Sequence, residues 1–343
     1  MSFNRSILLA FFVICFICSG SVGWSAQKKS AAVAKKNITK KNIAKKTVQK
    51  SAPVKKLKKK PVTKRVVKPA SNTIQAKAVY CVNLSNNETI MARNENQKLP
   101  IASLTKLVSA LVTLENMPLD GKVRIPDHIK SVPNFVVGLK AGDELTVNDL
   151  LHGMLINSGN DCAEALACAF PGGKQKFVAA LNRKARQLGA KKSEFFTPSG
   201  LDRKPPGPPQ EVLEEEIDAN SSTAKEIANI ARIAFSDKTI RSIVQKKSYV
   251  MSSLNTKNEY PLRNTNKLLS DNLPVIGGKT GFTVRAGHCL ASQFAPDKND
   301  LLIVVLGSPN HFHDTRLVYR KALKDSITRR RVSATKIEPV AKN

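Results

Sequence analysis

Ser103-Leu104-Thr105-Lys106 sets a hydroxyl and an amine three residues apart. On a helix, positions i and i+3 share a face, so the Lys106 amine can reach the Ser103 hydroxyl. Pro100, Ile101 and Ala102, just upstream, predict that a helix begins here. Ser103 then sits in the positive end of the helix macrodipole, which favours a developing alkoxide. A neutral lysine beside it acts as a base, provided that burial or another cation lowers its pKa. Alone the pattern is weak: at average residue usage it arises by chance about once in a chain this long.

Two further patterns add chemistry. Ser158-Gly159-Asn160 falls between two helical stretches. A loop position would let the Ser158 hydroxyl shuttle protons and the Asn160 amide bond both lysine and substrate, although the same residues also suit a helix N-cap. Gly277-Gly278-Lys279-Thr280-Gly281-Phe282-Thr283 suits a strand, with Lys279 and Gly281 pointing one way and Thr280 the other. Glycines flanking a cation allow a substrate backbone close to a strand edge. Lys279 supplies the second cation wanted to keep Lys106 neutral, and an anion site for a substrate carboxylate. A phosphate-binding loop would need glycine at 273, where the chain has Leu273, so that reading fails.

Hydrophobic periodicity predicts the elements that position these residues. Residues 76–83 and 88–93 read as a strand pair joined by Ser85-Asn86-Asn87. Helical patterns cover about 104–115, 146–156, 160–169 and 173–188, and another, 223–235, starts behind Ser221-Ser222-Thr223. Strand patterns return at 247–253, 285–294 and 300–307, and a last amphipathic helix runs from about Asp314 to Ser326. Residues 203–219, Pro-rich and then acidic, read as a surface loop. Strands, then helices, then strands and a helix imply one α+β unit whose terminal segments share a sheet around an inserted helical block.

Residues 1–25 read as a secretory signal peptide: Arg5 precedes an unbroken apolar run, Ile7 to Cys18, followed by small residues. That run is shorter than the roughly 20 residues needed to span a bilayer, so an exported protein of the periplasm or cell envelope is expected, soluble or peripherally associated. Residues 26–71 form a low-complexity arm with a five-residue period (Ala34-Lys-Lys-Asn-Ile, Thr39-Lys-Lys-Asn-Ile, Ala44-Lys-Lys-Thr-Val), and self-repulsion predicts disorder. Of 56 basic residues, 17 lie in 27–71, which has no acidic residue, and one is Arg5. The remaining 38 basic residues face all 26 acidic ones, a net of +12 out of +30. Such an arm often binds nucleic acid. Export makes anionic envelope polymers or lipid headgroups the better partners, with a solvated spacer as the alternative. Residues 72–328 are the expected folded domain and 329–343 a basic tail.

Four cysteines lie beyond the leader: Cys81, Cys162, Cys168 and Cys289. Buried thiols are the plainer reading, one or two disulfides the alternative, and no pair has CxxC spacing. His311-Phe312-His313-Asp314 reads as surface histidines before a helix-capping aspartate rather than a metal site. No metal or cofactor is expected.

SxxK, SxN and KTG in this order are signatures of penicillin-binding proteins and serine β-lactamases. With PIASLTKL, INSGNDCAEALA, FFTPSGLD, SSTAKEIA, LRNTN and GGKTGFTVRAGHCLA, the stretch from about 74 to 326 resembles the low-molecular-mass D-alanyl-D-alanine peptidases of the S11 family. The resemblance implies a penicillin-binding-protein/β-lactamase-like fold, a central antiparallel sheet flanked by helices with an inserted helical subdomain. It also implies serine peptidase chemistry on peptidoglycan stem peptides, with β-lactams as covalent inhibitors. Ser103 would be the nucleophile and Lys106 the general base. Ser158 and Asn160 would relay protons and position substrate. Lys279 and Thr280, beside Gly281, would hold its carboxylate, and the backbone N–H groups of Ser103 and Phe282 would form the oxyanion hole.

Within that group, the ExxLN loop carrying the deacylating glutamate of a class A β-lactamase is missing; the acidic stretch reads EVLEEEID. A transpeptidase would be expected to carry extra domains, and many S11 carboxypeptidases a C-terminal β-domain and an amphipathic anchor. Here only a stretch of 17 residues, polar and basic in overall character, follows Ser326. FPGG at Phe170–Gly173 and RNTN at Arg263–Asn266 resemble the endopeptidase branch, which cuts crosslinks between stem peptides. Gly159 points the other way, since that branch carries an acidic residue there. Carboxypeptidase leads as the commoner activity, with endopeptidase second. A catalytically inactive wall-binding protein is the alternative of another class.

Overall fold

The computed structural model describes residues 72–203, 218–296 and 300–335. The leader, the arm, the acidic stretch 204–217 and the end of the basic tail lie outside the described residues. The first apolar run forms strand β1 (Ala78–Asn83), buried along its whole length, and turns into β2 (Glu88–Arg93). At the other end of the chain, β9 (Val275–Thr283), β10 (Gly287–Phe294) and β11 (Leu301–Ser308) return to the same sheet. The order is β2-β1-β11-β10-β9, with every neighbouring pair antiparallel.

Antiparallel sheets commonly leave one face to water, but β1 and β11 are near-continuous apolar runs because both their faces are covered. Ala78, Tyr80, Val82, Leu302, Val304 and Leu306 point into the larger core beneath the helical block. Val79, Cys81, Ile303 and Val305 point the other way, against Val318, Tyr319 and Ala322 of the last helix.

Between the two ends of the sheet lie the helices that carry the site. The central one, α1 (Thr105–Asn116), is surrounded by α2 (Val147–Ile156), α3 (Asn160–Ala169) and α4 (Gly173–Gln187). Helix α5 (Ala224–Ser236) packs against β1 and β11. Its start follows the expected capping signal, Thr223 Oγ1 accepting from Glu226 N at 3.1 Å. Short pairs complete the frame. Leu99–Pro100 (β3) pairs with Ser221–Ser222 (β6), and Lys122–Arg124 (β4) with Glu144–Thr146 (β5).

The structure departs from the sequence reading in several places. A helix, α6 (Lys238–Val244), follows α5, and β7 (Ser248–Ser252) pairs with an unexpected β8 (Glu259–Arg263). The last helix, α7, runs His311–Thr335 and takes in the start of the expected basic tail. It is capped by Asn310, whose Oδ1 accepts from His313 N, rather than by Asp314. Asp314 is instead a buried acceptor for Gln75 N and Ser308 Oγ, and His311 is buried, not on the surface. Cys81, Cys162, Cys168 and Cys289 are free thiols, all but Cys168 buried. Among the described residues no helix is long and apolar enough to cross a membrane.

Candidate active site

Ser103 stands in a single 3₁₀ turn, Ala102–Leu104, that leads into α1. With three residues per turn, side chains at i and i+3 eclipse, so Lys106 comes to lie beside Ser103. Lys106 Nζ, fully buried, donates to Ser103 Oγ at 2.8 Å, to Asn160 Oδ1 at 2.7 Å and to the Ser199 carbonyl at 2.8 Å. Ala102, at φ 48°, holds the left-handed conformation that non-glycine residues rarely adopt. Gly200 makes room for that turn: a Cβ there would lie 2.0 Å from the Ala102 carbonyl oxygen.

Asn160 opens α3 and also donates to the carbonyls of Pro133 and Asn134, at 3.2 and 2.8 Å. Its neighbour Asp161 accepts from the backbone N–H groups of Val137, Gly138 and Leu139. The SGND segment thus fixes loop 133–139 as well as the amine of Lys106. Ser158 reaches into the site from a left-handed backbone, φ 62°. Its hydroxyl accepts from Lys279 Nζ at 2.8 Å. Lys279 is fully buried and donates also to the Thr280 carbonyl, while Thr280 Oγ1 lies 2.6 Å from Thr265 Oγ1 of the RNTN segment. Strand β9 presses against the Ser103 turn: a Cβ on Gly281 would be 3.0 Å from both Ser103 N and the Ile101 carbonyl oxygen. Phe282, next along, is partly exposed with its ring 4.4 Å from that of His288.

The electrostatics follow from burial. Lys106 is held well below the ordinary lysine value of 10.5, first by loss of solvent and second by the charge of Lys279. Both causes named from the sequence, burial and a second cation, therefore act, and burial is the larger. Burial alone brings Lys279 down to about 7. The structure therefore gathers Ser103, Lys106, Ser158, Asn160, Lys279, Thr280 and Gly281 at one place, with Phe282 at its edge.

Two contributors were not foreseen. Ser199 offers a backbone carbonyl to Lys106. Asn220 ties the surrounding segments together: Nδ2 donates to Thr105 Oγ1 and the Thr197 carbonyl, Oδ1 accepts from Phe196 N and Thr197 N, and its own carbonyl accepts from Ile101 N. A cleft of about 870 Å³ opens beside Ser199 and Phe282, with Phe135 and Val284 as exposed apolar lips.

A fold and a hydroxyl–lysine site of this kind define an acyl-transfer enzyme of the penicillin-binding class, and the comparisons agree. The family model for peptidase S11, described as D-alanyl-D-alanine carboxypeptidase, matches residues 63–310, and the chain belongs to this family. It is 28% identical over 239 residues to the D-alanyl-D-alanine carboxypeptidase DacF of Bacillus subtilis, covering 68% of this chain and 58% of that relative. It is 29% identical to the D-alanyl-D-alanine endopeptidase of Escherichia coli, covering 70% of this chain and 75% of the relative. Among solved structures, the Streptomyces K15 DD-transpeptidase is 28% identical with a TM-score of 0.65, covering 76% of this chain and all of that one.

Proposed function

We propose that this chain is a serine-type D-alanyl-D-alanine carboxypeptidase, exported to the cell envelope, that acts on peptidoglycan stem peptides through an acyl-enzyme on Ser103. The observation that carries the reading is the fully buried Lys106 amine, depressed in pKa and 2.8 Å from the Ser103 hydroxyl. In its neutral form this amine has a lone pair, and the contact reverses: Ser103 O–H donates to Nζ. As Ser103 Oγ attacks the D-Ala carbonyl, its proton passes to Lys106, and the same proton returns by way of the site hydroxyls to the departing amine. Hydrolysis of the ester by water regenerates Ser103. The backbone N–H groups of Ser103 and Phe282 stabilise the oxyanion, a contribution of about 10²–10³ in rate per donor. Lys279, protonated when a substrate carboxylate arrives, holds that carboxylate with Thr280, while Gly281 keeps the strand edge open. β-Lactams would be trapped as stable esters of Ser103.

The second reading, a DD-endopeptidase, is favoured by the name of the Escherichia coli relative and by the FPGG and RNTN segments. Gly159 favours carboxypeptidase. A Cβ there would lie 2.8 Å from Val137 Cγ2 and 3.0 Å from Cys162 Sγ, so an acidic side chain at this position requires Val137 to shift.

Two measurements test the proposal. Labelled penicillin should attach to the wild type and not to Ser103→Ala, and equal labelling removes Ser103 as nucleophile. Purified wall fragments digested with the enzyme and weighed should lose one alanine. Dimers falling to monomers instead would make it an endopeptidase.

A further inference from the structure

We infer that His128, Glu164 and Cys168 form a three-ligand site for a divalent cation of the zinc class, set in the wall of the cleft beside the active site. Glu164 and Cys168 stand one turn apart on α3, at i and i+4, so both side chains leave the same face. His128 comes from the facing turn Asp127–Ser131. The three donor atoms close a triangle: His128 Nε2 to Glu164 Oε1 is 3.5 Å, His128 Nε2 to Cys168 Sγ is 3.8 Å, and Cys168 Sγ to Glu164 Oε1 is 3.8 Å. A tetrahedral zinc, with N and O ligands near 2.0–2.1 Å and sulfur near 2.3 Å, needs donor separations of about 3.3–3.6 Å. Shifts of a few tenths of an ångström in these side chains therefore bring the triangle to size.

Glu164 is at present paired with Lys174, whose Nζ donates to the same oxygen at 2.7 Å. This ion pair accounts for a buried carboxylate. It does not account for a thiol and an imidazole converging on the same oxygen. Lys174 is about half exposed, so its ammonium can swing into water. The exchange balances in charge. The incoming M²⁺ replaces the Lys174 cation and displaces the thiol proton of Cys168 to solvent. It then faces one carboxylate, one thiolate and one neutral imidazole. A thiolate with an imidazole selects zinc-like ions over magnesium or calcium. His128 and Glu164 also line the cleft. The fourth position therefore faces it, free to take water or an anionic group of a bound molecule.

Titrating the full-length, untagged chain with Co²⁺ tests the site. We expect one equivalent bound, with a thiolate-to-metal charge-transfer band in the near ultraviolet and visible bands of tetrahedral intensity, both erased by one equivalent of Zn²⁺. Cys168→Ser should abolish the charge-transfer band. His128→Ala should weaken binding more than tenfold, since even outer-shell substitutions cost that much, whereas Lys174→Met, which removes the competitor, should tighten it. No charge-transfer band in the wild type, or an undiminished band in Cys168→Ser, overturns the inference. Penicillin labelling at Ser103 serves as the fold check in each variant, because none of these residues belongs to the acylation machinery. A silent Ser103 with an intact cobalt band would count against the proposed function and not against this site.

Discussion

At the residue scale, the proposed chemistry rests on two lysines that have been taken out of water. An unfolded lysine titrates near 10.4, whereas buried Lys279 titrates at about 7. Between those values the unfolded chain holds a proton that the native chain does not, so stability rises with pH across the window. Below about 7 both states are protonated and the burial penalty is complete. Lys279→Met removes it. The variant should melt several degrees above the wild type at pH 6.5, with the gap shrinking steadily toward pH 10. The same substitution removes a cation from beside Lys106, whose pKa must then rise. The acid limb of the acylation rate, followed with a fluorescent penicillin, should therefore move to higher pH while the maximum rate falls. A melting gap that is constant in pH, or an unmoved acid limb, would mean that the two amines are electrostatically independent.

At the scale of elements, Asn220 ties the start of α1 to residues 196–197 through its buried side chain, and to Ile101 through its backbone carbonyl. Asn220→Ala would leave the N–H groups of Phe196 and Thr197 and the Thr197 carbonyl short of a partner. The expected cost is about 2–4 kcal/mol, since each stranded buried group costs about 1–3 kcal/mol and the surroundings relax in part. Urea unfolding measures it, and a change within about 0.5 kcal/mol, as for an ordinary surface site, would refute the role. Penicillin acylation should slow as well, because the Ser199 carbonyl is no longer held under Lys106. No sequence signal marked Asn220, and Ser199 fell within the FFTPSGLD segment without a role assigned to it. A carbonyl acceptor can come from any residue type, and Asn220 acts across more than a hundred residues of chain. What was legible was local: the Ser103–Lys106 spacing, the Thr223 cap, and the apolar runs of β1, β10 and β11. Helix α6 was too short to show a period, and β8 carries Pro261 among exposed Glu259 and Arg263, so only Tyr260 and Leu262 speak for a strand. Asp314 read as a cap because one of its two partners, Gln75 N, is 239 residues away, and the other, Ser308 Oγ, lies in the preceding strand. The His128–Glu164–Cys168 triangle was hidden likewise: the i, i+4 pair on α3 is visible in the sequence, but its third corner arrives from another element.

At the scale of the whole molecule, the distribution of charge separates catalysis from location. The net charge is +30, and residues 27–71 hold 17 basic and no acidic residues. The proposed acylation chemistry draws on none of them, since every group assigned to it lies between Ser103 and Phe282. Exposed cations acting on a polyanion work mainly by releasing its counterions, so retention should fall steeply as salt rises, and screening sets in beyond about 8–10 Å at 0.1–0.15 M ionic strength. If the arm is what holds the enzyme to anionic wall polymers, deleting 27–71 should leave hydrolysis of a small soluble peptide within about twofold of wild type. Retention on purified walls at low salt should drop, and its dependence on salt should flatten. Sedimentation with walls across a salt series distinguishes the outcomes. Loss of small-peptide hydrolysis would make the arm part of the fold. Undiminished retention would pass the role to the remainder of the chain from residue 72 onward, which keeps a net charge of +12, and an unchanged salt slope would leave the arm a spacer.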